Sequence, residues 1–325
     1  MLDAYSLGPN GPYKLTLDAD TPVPEEAGWV DMMRPSRADA AFAETFLGAE
    51  LPTREEAEEI EFSSRFYAED GTVFMTATIL TGVDAGEPLL VPLTFAVSGD
   101  QRIATLRYDD LRAHRQFLSR AGKPGNACAS TPAVFLGLLE AVVDRTADVL
   151  ERISGDVDRI NREVFAAQRE RRRARRLDEL IDDIGVQGDL AGKARLSLAS
   201  LERLIQYASL SLRGAFAKGS SKNRLKLIGR DVRSLEDHVT FLSNKITFLL
   251  DATLGLISVE QNEVIRVLTI AATIFFPPTL IGTIYGMNFV DMPELGWNLG
   301  YPFAIGLMVA SAVLPYLYFK RRGWL

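Results

Sequence analysis

Residues 267–290 read VLTIAATIFFPPTLIGTIYGMNFV, 24 positions without a charged side chain. At 1.5 Å per residue a helix of this length reaches about 36 Å, enough to cross a hydrocarbon core of about 30 Å. A second uncharged stretch, residues 299–319, runs for 21 positions and reaches about 31 Å as a helix. Uncharged runs this long are rare in soluble cores, so both are read as membrane spans. That reading decides the fold, because the remaining residues are polar and charged and must form a separate body carried on a two-helix anchor.

The flanks of the two runs predict their topology. Arg266 precedes the first, Lys320-Arg321-Arg322 follows the second, and the connection from Asp291 to Asn298 carries Asp291 and Glu294 without a basic residue. Basic flanks stay on the cytoplasmic side. The expectation is a multi-pass protein of the plasma (inner) membrane with both termini cytoplasmic and an outward loop at 289–298. Trp297, Tyr301, Tyr316, Tyr318 and Trp324 fall where interfacial aromatic anchors belong. The start, Met1-Leu2-Asp3-Ala4-Tyr5, shows no basic segment followed by an apolar run, so no secretory signal is expected.

Composition narrows the function classes. Cys128 is the single cysteine, which excludes an internal disulfide and fits a reducing compartment. His114 and His238 stand far from it, so no zinc-type ligand cluster is visible. A net charge of −7 argues against a nucleic-acid partner. The basic run Arg169-Glu170-Arg171-Arg172-Arg173-Ala174-Arg175-Arg176 has no interleaved aromatics and reads as a solvated helix tip. With no glycine-rich phosphate loop and no nucleophile elbow, an enzyme is not expected.

Residues 1–130 read as an α+β cytoplasmic domain. Strand-rich runs occur at 29–32, 72–76, 89–95 and 103–106. Helices are expected around Ser36–Phe46 and Thr53–Glu61, with turns at Gly71, Gly99-Asp100 and Gly125-Asn126. Residues 131–262 read as long helices. Leu136, Leu139, Val143, Leu150, Ile153, Val157, Ile160 and Val164 keep a coiled-coil rhythm near 3.5 residues. A further helix is expected from Leu177 to about Phe216, a break at Gly219-Ser220-Ser221, and a last helix from near Asn223. Its seam, Ile228, Val232, Leu235, Val239, Leu242, Ile246, Leu249 and Thr253, leads without a proline to Pro277. This stalk is predicted to run roughly sixty residues, about 90 Å, into the pore region 263–325.

A second row runs on the opposite side of that helix: Asn262, Ile265, Thr269, Ala272, Phe276, Thr279, Thr283, then the corner Gly286-Met287-Asn288. Hydroxyl residues in a spanning helix also serve plain packing, since threonine bonds its own backbone. An asparagine at each end of one stripe favours a water-filled lining. Two spans cannot enclose a pore, so that reading requires several copies in a ring. Pro277-Pro278 either kinks the helix or frees carbonyls toward the pore.

These residues also carry a resemblance. Tyr285-Gly286-Met287-Asn288-Phe289, Met292-Pro293-Glu294-Leu295, Glu260-Gln261-Asn262, Phe276-Pro277-Pro278-Thr279-Leu280 and the ending from Tyr316 to Leu325 closely resemble the CorA family of magnesium transporters. The likeness is nearest the enterobacterial-type branch and extends to the N-terminus, including Thr53-Arg54 through Phe66. It implies a funnel-shaped homopentamer in the lipid bilayer that passes Mg²⁺, and also Co²⁺ and Ni²⁺, down the membrane potential, gated by intracellular Mg²⁺ and needing no organic cofactor.

By the same resemblance Asn288 forms the outer selectivity ring, with Gly286 turning the chain and Tyr285 bracing it. Thr279 and Thr283 assist below, Leu268 and Phe276 are apolar constrictions, and Asn262 is the polar ring at the cytoplasmic end. Asp251, eleven residues earlier on that face, is a divalent-ion candidate or a solvated position. Asp231, Glu236 and Asp237 are candidates for regulatory Mg²⁺ sites, Asp291 and Glu294 for gathering cations at the mouth, and Lys320, Arg321 and Arg322 for an inner basic ring. Two other readings share the architecture: a zinc transporter of the ZntB group, from which Met287 and the following Met-Pro-Glu-Leu differ, and a membrane-anchored metal sensor without transport.

Overall fold

The computed structural model describes residues 1–8, 11–16, 24–59, 61–99, 102–122, 129–167, 174–288 and 292–324. Asp100, Gly125-Asn126, Cys128, the basic run 169–173, Phe289, Asp291 and Leu325, all singled out above, lie outside the described residues. The chain forms two compact units, Met1–Glu163 with Ile181–Leu249, and Val164–Leu180 with Leu250–Leu325.

The first unit begins with strands β1 (Leu2–Gly8), β2 (Gly11–Lys14) and β3 (Ala27–Met33), then short helices α1 (Arg37–Leu47), α2 (Arg54–Glu58) and α3 (Phe62–Arg65). Strands β4 (Phe66–Glu69), β5 (Thr72–Thr81), β6 (Leu89–Ser98) and β7 (Arg102–Arg107) follow, then helix α4 (Arg112–Ala121). The long helices are α5 (Thr131–Ala167), α6 (Ala174–Ser211), α7 (Gly219–Tyr285) and α8 (Gly300–Arg321). The expected α+β character is present, with more strands than the sequence suggested. Thr53–Glu61 holds a shorter helix than expected, five residues that end at Glu58.

The seven strands form one sheet in the order β2-β1-β3-β7-β6-β5-β4. Only β3 and β7 pair in parallel, with Val30 opposite Ala104 and Asp31 opposite Thr105. Local chemistry accounts for the joints. Asp70 and Gly71 both have positive φ, 47° and 81°, the geometry of the two-residue hairpin turn that suits strand twist. Ser36 and Thr53 cap α1 and α2 through reciprocal bonds with Asp39 and Glu56. Pro92 is tolerated inside β6 because pairing with β7 begins only at Leu93 opposite Arg107, so no ladder bond is lost.

Alternation along the strands gives the sheet two buried faces. Val30, Ala104, Ala96 and Phe74 form a row across four strands, packed under Phe46 of α1. The opposite row carries Asp31, Thr105, Phe95 and Met75, with Phe95 edge-on to Phe135 of α5 at 5.1 Å between ring centroids. On this face Arg107 grips Asp31 through Nε and Nη2 at 3.2 and 2.9 Å, Thr105 Oγ1 donates to Asp31 at 2.6 Å, and Trp29 Nε1 donates to Thr105 at 3.1 Å. His114 Nε2 lies 3.2 Å from the same carboxylate without the alignment of a hydrogen bond. Burial pushes the Asp31 pKa up, but His114 and Arg107 outweigh it and hold the carboxyl at about 2.

Beyond the end of β4, strand β5 has a free edge, and α6 covers it. The Thr78 N–H donates to Ser200 Oγ at 2.8 Å and the Leu80 N–H to Ser197 Oγ at 3.3 Å, which satisfies backbone donors that would otherwise be orphaned.

The expected seams are buried. In α5 every residue of the row from Leu136 to Val164 is buried, and in α7 so are Ile228, Val232, Val239, Leu242, Ile246, Leu249 and Thr253, with Leu235 half-buried. Polar pairs flank them: Arg224 to Glu140, Lys245 to Asp158 and Arg159 to Asp183. The break before the last helix differs from the expected one. It falls at 212–218, around a 3₁₀ turn Gly214–Phe216, and Gly219 with φ +58° opens α7 instead of interrupting it. Helix α7 then runs for 67 residues and passes through Pro277 and Pro278 without ending.

Candidate functional site

Two helices are long and apolar enough to cross a membrane, α7 in its last third and α8. Only 6% of the apolar window in α7 and 11% of that in α8 is buried, unlike the mostly buried core helix of a soluble domain. At the start of the α7 span Arg266 pairs with Glu263 at 3.6 Å.

The spanning part of α7 has two distinct faces. Ile270 is buried, and Ala271, Ile274, Pro277, Pro278, Ile281, Gly282 and Tyr285 are half-buried. Gly282 lies on this side, where an added Cβ would stand 3.4 Å from Met308 Cε of α8. The opposite side, roughly 180° around the helix, presents Asn262, Ile265, Thr269, Ala272, Phe276, Thr279 and Thr283, all exposed. The residues expected to line a pore therefore lie together on the unpacked face. Leu268 and Phe276 are among its most exposed members, at 70% and 74%. Asp251, three turns before Asn262, is exposed as well.

The threonines have a defined orientation. Thr269, Thr279 and Thr283 donate their hydroxyl hydrogens to the carbonyls of Ile265, Phe275 and Thr279, each at 2.8 Å, and Thr273 donates to Thr269 in the same way. A hydroxyl that donates inward leaves its oxygen lone pairs facing out, so the exposed threonines form a ladder of acceptors. Pro277 and Pro278 lack N–H groups, which frees the carbonyls of Thr273 and Ile274 from the usual helical bond. Thr273 was not among the expected residues; its spacing of four from Thr269 was the available signal.

The corner after Tyr285 is tight. The Gly286 N–H donates to Gly282 O at 3.0 Å and to Thr283 O at 3.2 Å, and the Met287 N–H to Ile284 O at 3.3 Å. What glycine offers here is space rather than handedness, because a Cβ at Gly286 would lie 3.2 Å from Gly282 O, a tight contact. Met287 and Asn288 are exposed at the end of the helix and Tyr285 is half-buried beside them. Glu294 falls in a short 3₁₀ turn, Pro293–Gly296. At the far end of α8, Lys320 and Arg321 occupy the last turn, where cations offset the helix dipole. Arg322 lies over the Tyr318 ring at 5.6 Å.

The acidic candidates of the soluble unit do not converge. Asp231 and Asp237 are exposed and Glu236 is half-buried. Burial, then repulsion from Glu202 and Asp237, raises the Glu236 pKa. Glu202, a half-buried residue of α6 that accepts from Arg233 at 3.1 Å, was missed from sequence because its closeness to Glu236 depends on helix pairing. Among the described residues no group of three or more His, Cys, Asp or Glu is placed to hold a metal ion.

Comparison with known proteins places this arrangement. A family model described as "CorA-like Mg2+ transporter protein" matches residues 25–321. The chain belongs to this family. It is a family of ion transporters, not of enzymes. Among curated CorA relatives, the magnesium transport protein CorA of Yersinia pseudotuberculosis is 33% identical over 328 aligned positions, and that of Escherichia coli 32% over 325. Both alignments cover all of this chain and all of the relative. The fold matches the complete structure of the CorA magnesium transporter from Methanocaldococcus jannaschii with a TM-score of 0.77 at 17% identity, covering 100% of this chain and 99% of that one. The cytoplasmic domain of ZntB from Vibrio parahaemolyticus matches at 0.58 and 9% identity over 79% of this chain and 97% of that one. The shared CorA fold therefore does not by itself separate the magnesium from the zinc reading.

Proposed function

We propose that this chain is one subunit of a homopentameric inner-membrane channel that admits hydrated Mg²⁺, and with it Co²⁺ and Ni²⁺. The observation that carries the reading is the exposed acceptor ladder on α7, which faces away from the packed side and ends at Asn288. Mg²⁺ gives up its water reluctantly, and its bound waters present hydrogens outward. Side-chain carbonyls at Asn262 and Asn288 and hydroxyl oxygens at Thr269, Thr279 and Thr283 accept from that shell without stripping it. A ring of carboxylates at the same place would hold the ion too tightly for release. The full-length match to curated magnesium transport proteins supports Mg²⁺ as cargo.

In this reading Gly286, Met287 and Asn288 form the outer filter, braced by Tyr285. Leu268 and Phe276 are apolar constrictions, Ala272 leaves room between them, and Asp251 is a divalent-ion position below Asn262. Asp291 and Glu294 concentrate cations at the outer mouth and Lys320, Arg321 and Arg322 ring the inner side. Both termini are cytoplasmic, so an inside-negative potential drives influx with about 4.6 kcal/mol per 100 mV for a divalent ion. Intracellular Mg²⁺ closes the channel by binding between subunits, with Glu236, Asp237 and Asp231 as ligands. Neutralising repelling carboxylates supplies the differential affinity such gating needs.

The test is flux in liposomes loaded with a Mg²⁺-sensitive dye. The wild type is expected to pass Mg²⁺, and Co²⁺ and Ni²⁺ with it, ahead of Zn²⁺. Asn288→Ala is expected to lose at least nine-tenths of the Mg²⁺ flux while keeping its oligomeric state. Undiminished flux in that variant would sink the filter assignment, and preference for Zn²⁺ would sink the cargo.

A further inference from the structure

The soluble unit contains a feature that ion conduction does not use. Between the end of α6, the 3₁₀ turn and the start of α7 lies a cavity of about 400 Å³. Its floor is apolar and includes the buried side chains of Leu212 and Phe216. Its wall carries Lys222, Lys226, Arg230 and Arg233, and no Asp or Glu lines it. In a chain with a net charge of −7, a pocket bearing four cations and no carboxylate departs from the surrounding surface.

Three of the four cations have no ion pair among the described residues. Arg233 is bonded to Glu202 at 3.1 Å, but among the described residues Lys222, Lys226 and Arg230 have no carboxylate within ion-pair distance. Their spacing of four residues stacks them on one face of α7, where like charges repel. Three cations stacked on one helix face, each on a long flexible stem, can converge on the closely spaced phosphates of a single polyphosphate chain.

We infer that this pocket binds a soluble polyphosphate anion, with the phosphates along Lys222, Lys226 and Arg230. A nucleoside triphosphate and an inorganic polyphosphate share that chemistry. They differ in what they offer the floor of Leu212 and Phe216, against which only the nucleotide has a base to lay.

Isothermal titration calorimetry on the detergent-solubilised full-length protein, without Mg²⁺, tests the site with two probes, ATP and inorganic tripolyphosphate. Saturable binding of either that weakens with added KCl is expected. A tighter fit for ATP identifies a nucleotide as the source, and equal or tighter binding of tripolyphosphate identifies the inorganic chain. Lys226→Gln with Arg230→Gln is expected to weaken binding at least ten-fold while leaving the elution volume and thermal unfolding unchanged. Because both side chains are exposed, the variant is expected to fold, and Lys222→Gln alone provides a milder check. Absence of heat with both probes, or affinity unchanged in the double variant, overturns the assignment. The readout is independent of ion flux, so it stands or falls apart from the transport reading.

Discussion

Gly286 shows how little room the corner before Asn288 leaves. With a Cβ position 3.2 Å from Gly282 O, alanine requires the last turn to give by a few tenths of an ångström, two residues before Asn288. Gly286→Ala is expected to reduce Mg²⁺ flux more than it reduces thermal stability, which paired flux and melting measurements on one preparation will show. In the soluble unit the buried Asp31 has the opposite character, a structural charge with no visible part in transport. Its pKa stands at about 2, below its ordinary 3.8. The ionised form is thus favoured in the folded state. The stability it contributes is complete above about pH 4 and fades as pH falls toward 2, by roughly 2 kcal/mol in total. Asp31→Asn removes the partner of a buried guanidinium and is expected to cost about 3–5 kcal/mol at neutral pH. It should also flatten the acid limb of a pH–stability curve; an unchanged limb would assign that limb to other carboxylates.

Among the elements, those legible in the sequence are the ones whose signal is local. The two uncharged runs, the 3.5-residue seams of α5 and α7 and the capping boxes at Ser36 and Thr53 are all written within a few turns of chain. Strands β1, β2 and β4 and helix α4 were not visible in the same way. β2 is short and both β1 and β2 are mixed in polarity, and their place beside β3 depends on pairings the local pattern does not hold. β4 had a usable mark, since Asp70-Gly71 demands a strand on each side. α4 buries Ala113, Phe117 and Ala121 at a spacing of four, but its three arginines and His114 obscured the stripe. The candidate pore face was legible because polar residues on an apolar helix stand out, and the bonding of its threonines to their own backbone was expected too; that the hydroxyl oxygens of Thr269, Thr279 and Thr283 are left on the exposed side needed the structure. That donation yields a prediction for α7 as an element. Thr279→Val keeps the shape but deletes the outward oxygen, and is expected to lower Mg²⁺ flux several-fold, whereas Thr279→Ser keeps it near wild type. Equal flux in the two variants would return the threonines to packing. For α6, Ser200→Ala strands the Thr78 N–H at the free edge of β5 and is expected to cost about 1–3 kcal/mol by chemical denaturation.

For the molecule as a whole, the single chain leaves its stalk face unfinished. Phe241, Phe248 and Val259 lie within about 20° of one another around α7, and they are 59%, 56% and 59% exposed. The buried seam occupies another face of the same helix, so this second apolar row stays exposed in the subunit. Large apolar side chains repeated along one exposed face mark a protein interface. A ring of identical chains would cover the row and, in the same act, bring the acceptor stripes of α7 around a common axis. In the proposed pentamer assembly and conduction are one event, with a single consequence that can be measured. Phe241→Glu places a charge in the interface without touching the core of the subunit, because its side chain is exposed in the monomer. It is expected to shift the solubilised protein from a five-subunit to a one-subunit mass by light scattering. Flux should be lost in parallel, while the circular dichroism of the subunit is retained. If the variant keeps both its mass and its flux, the row is not the interface. If it keeps its mass but loses flux, Phe241 acts on the gate rather than on assembly.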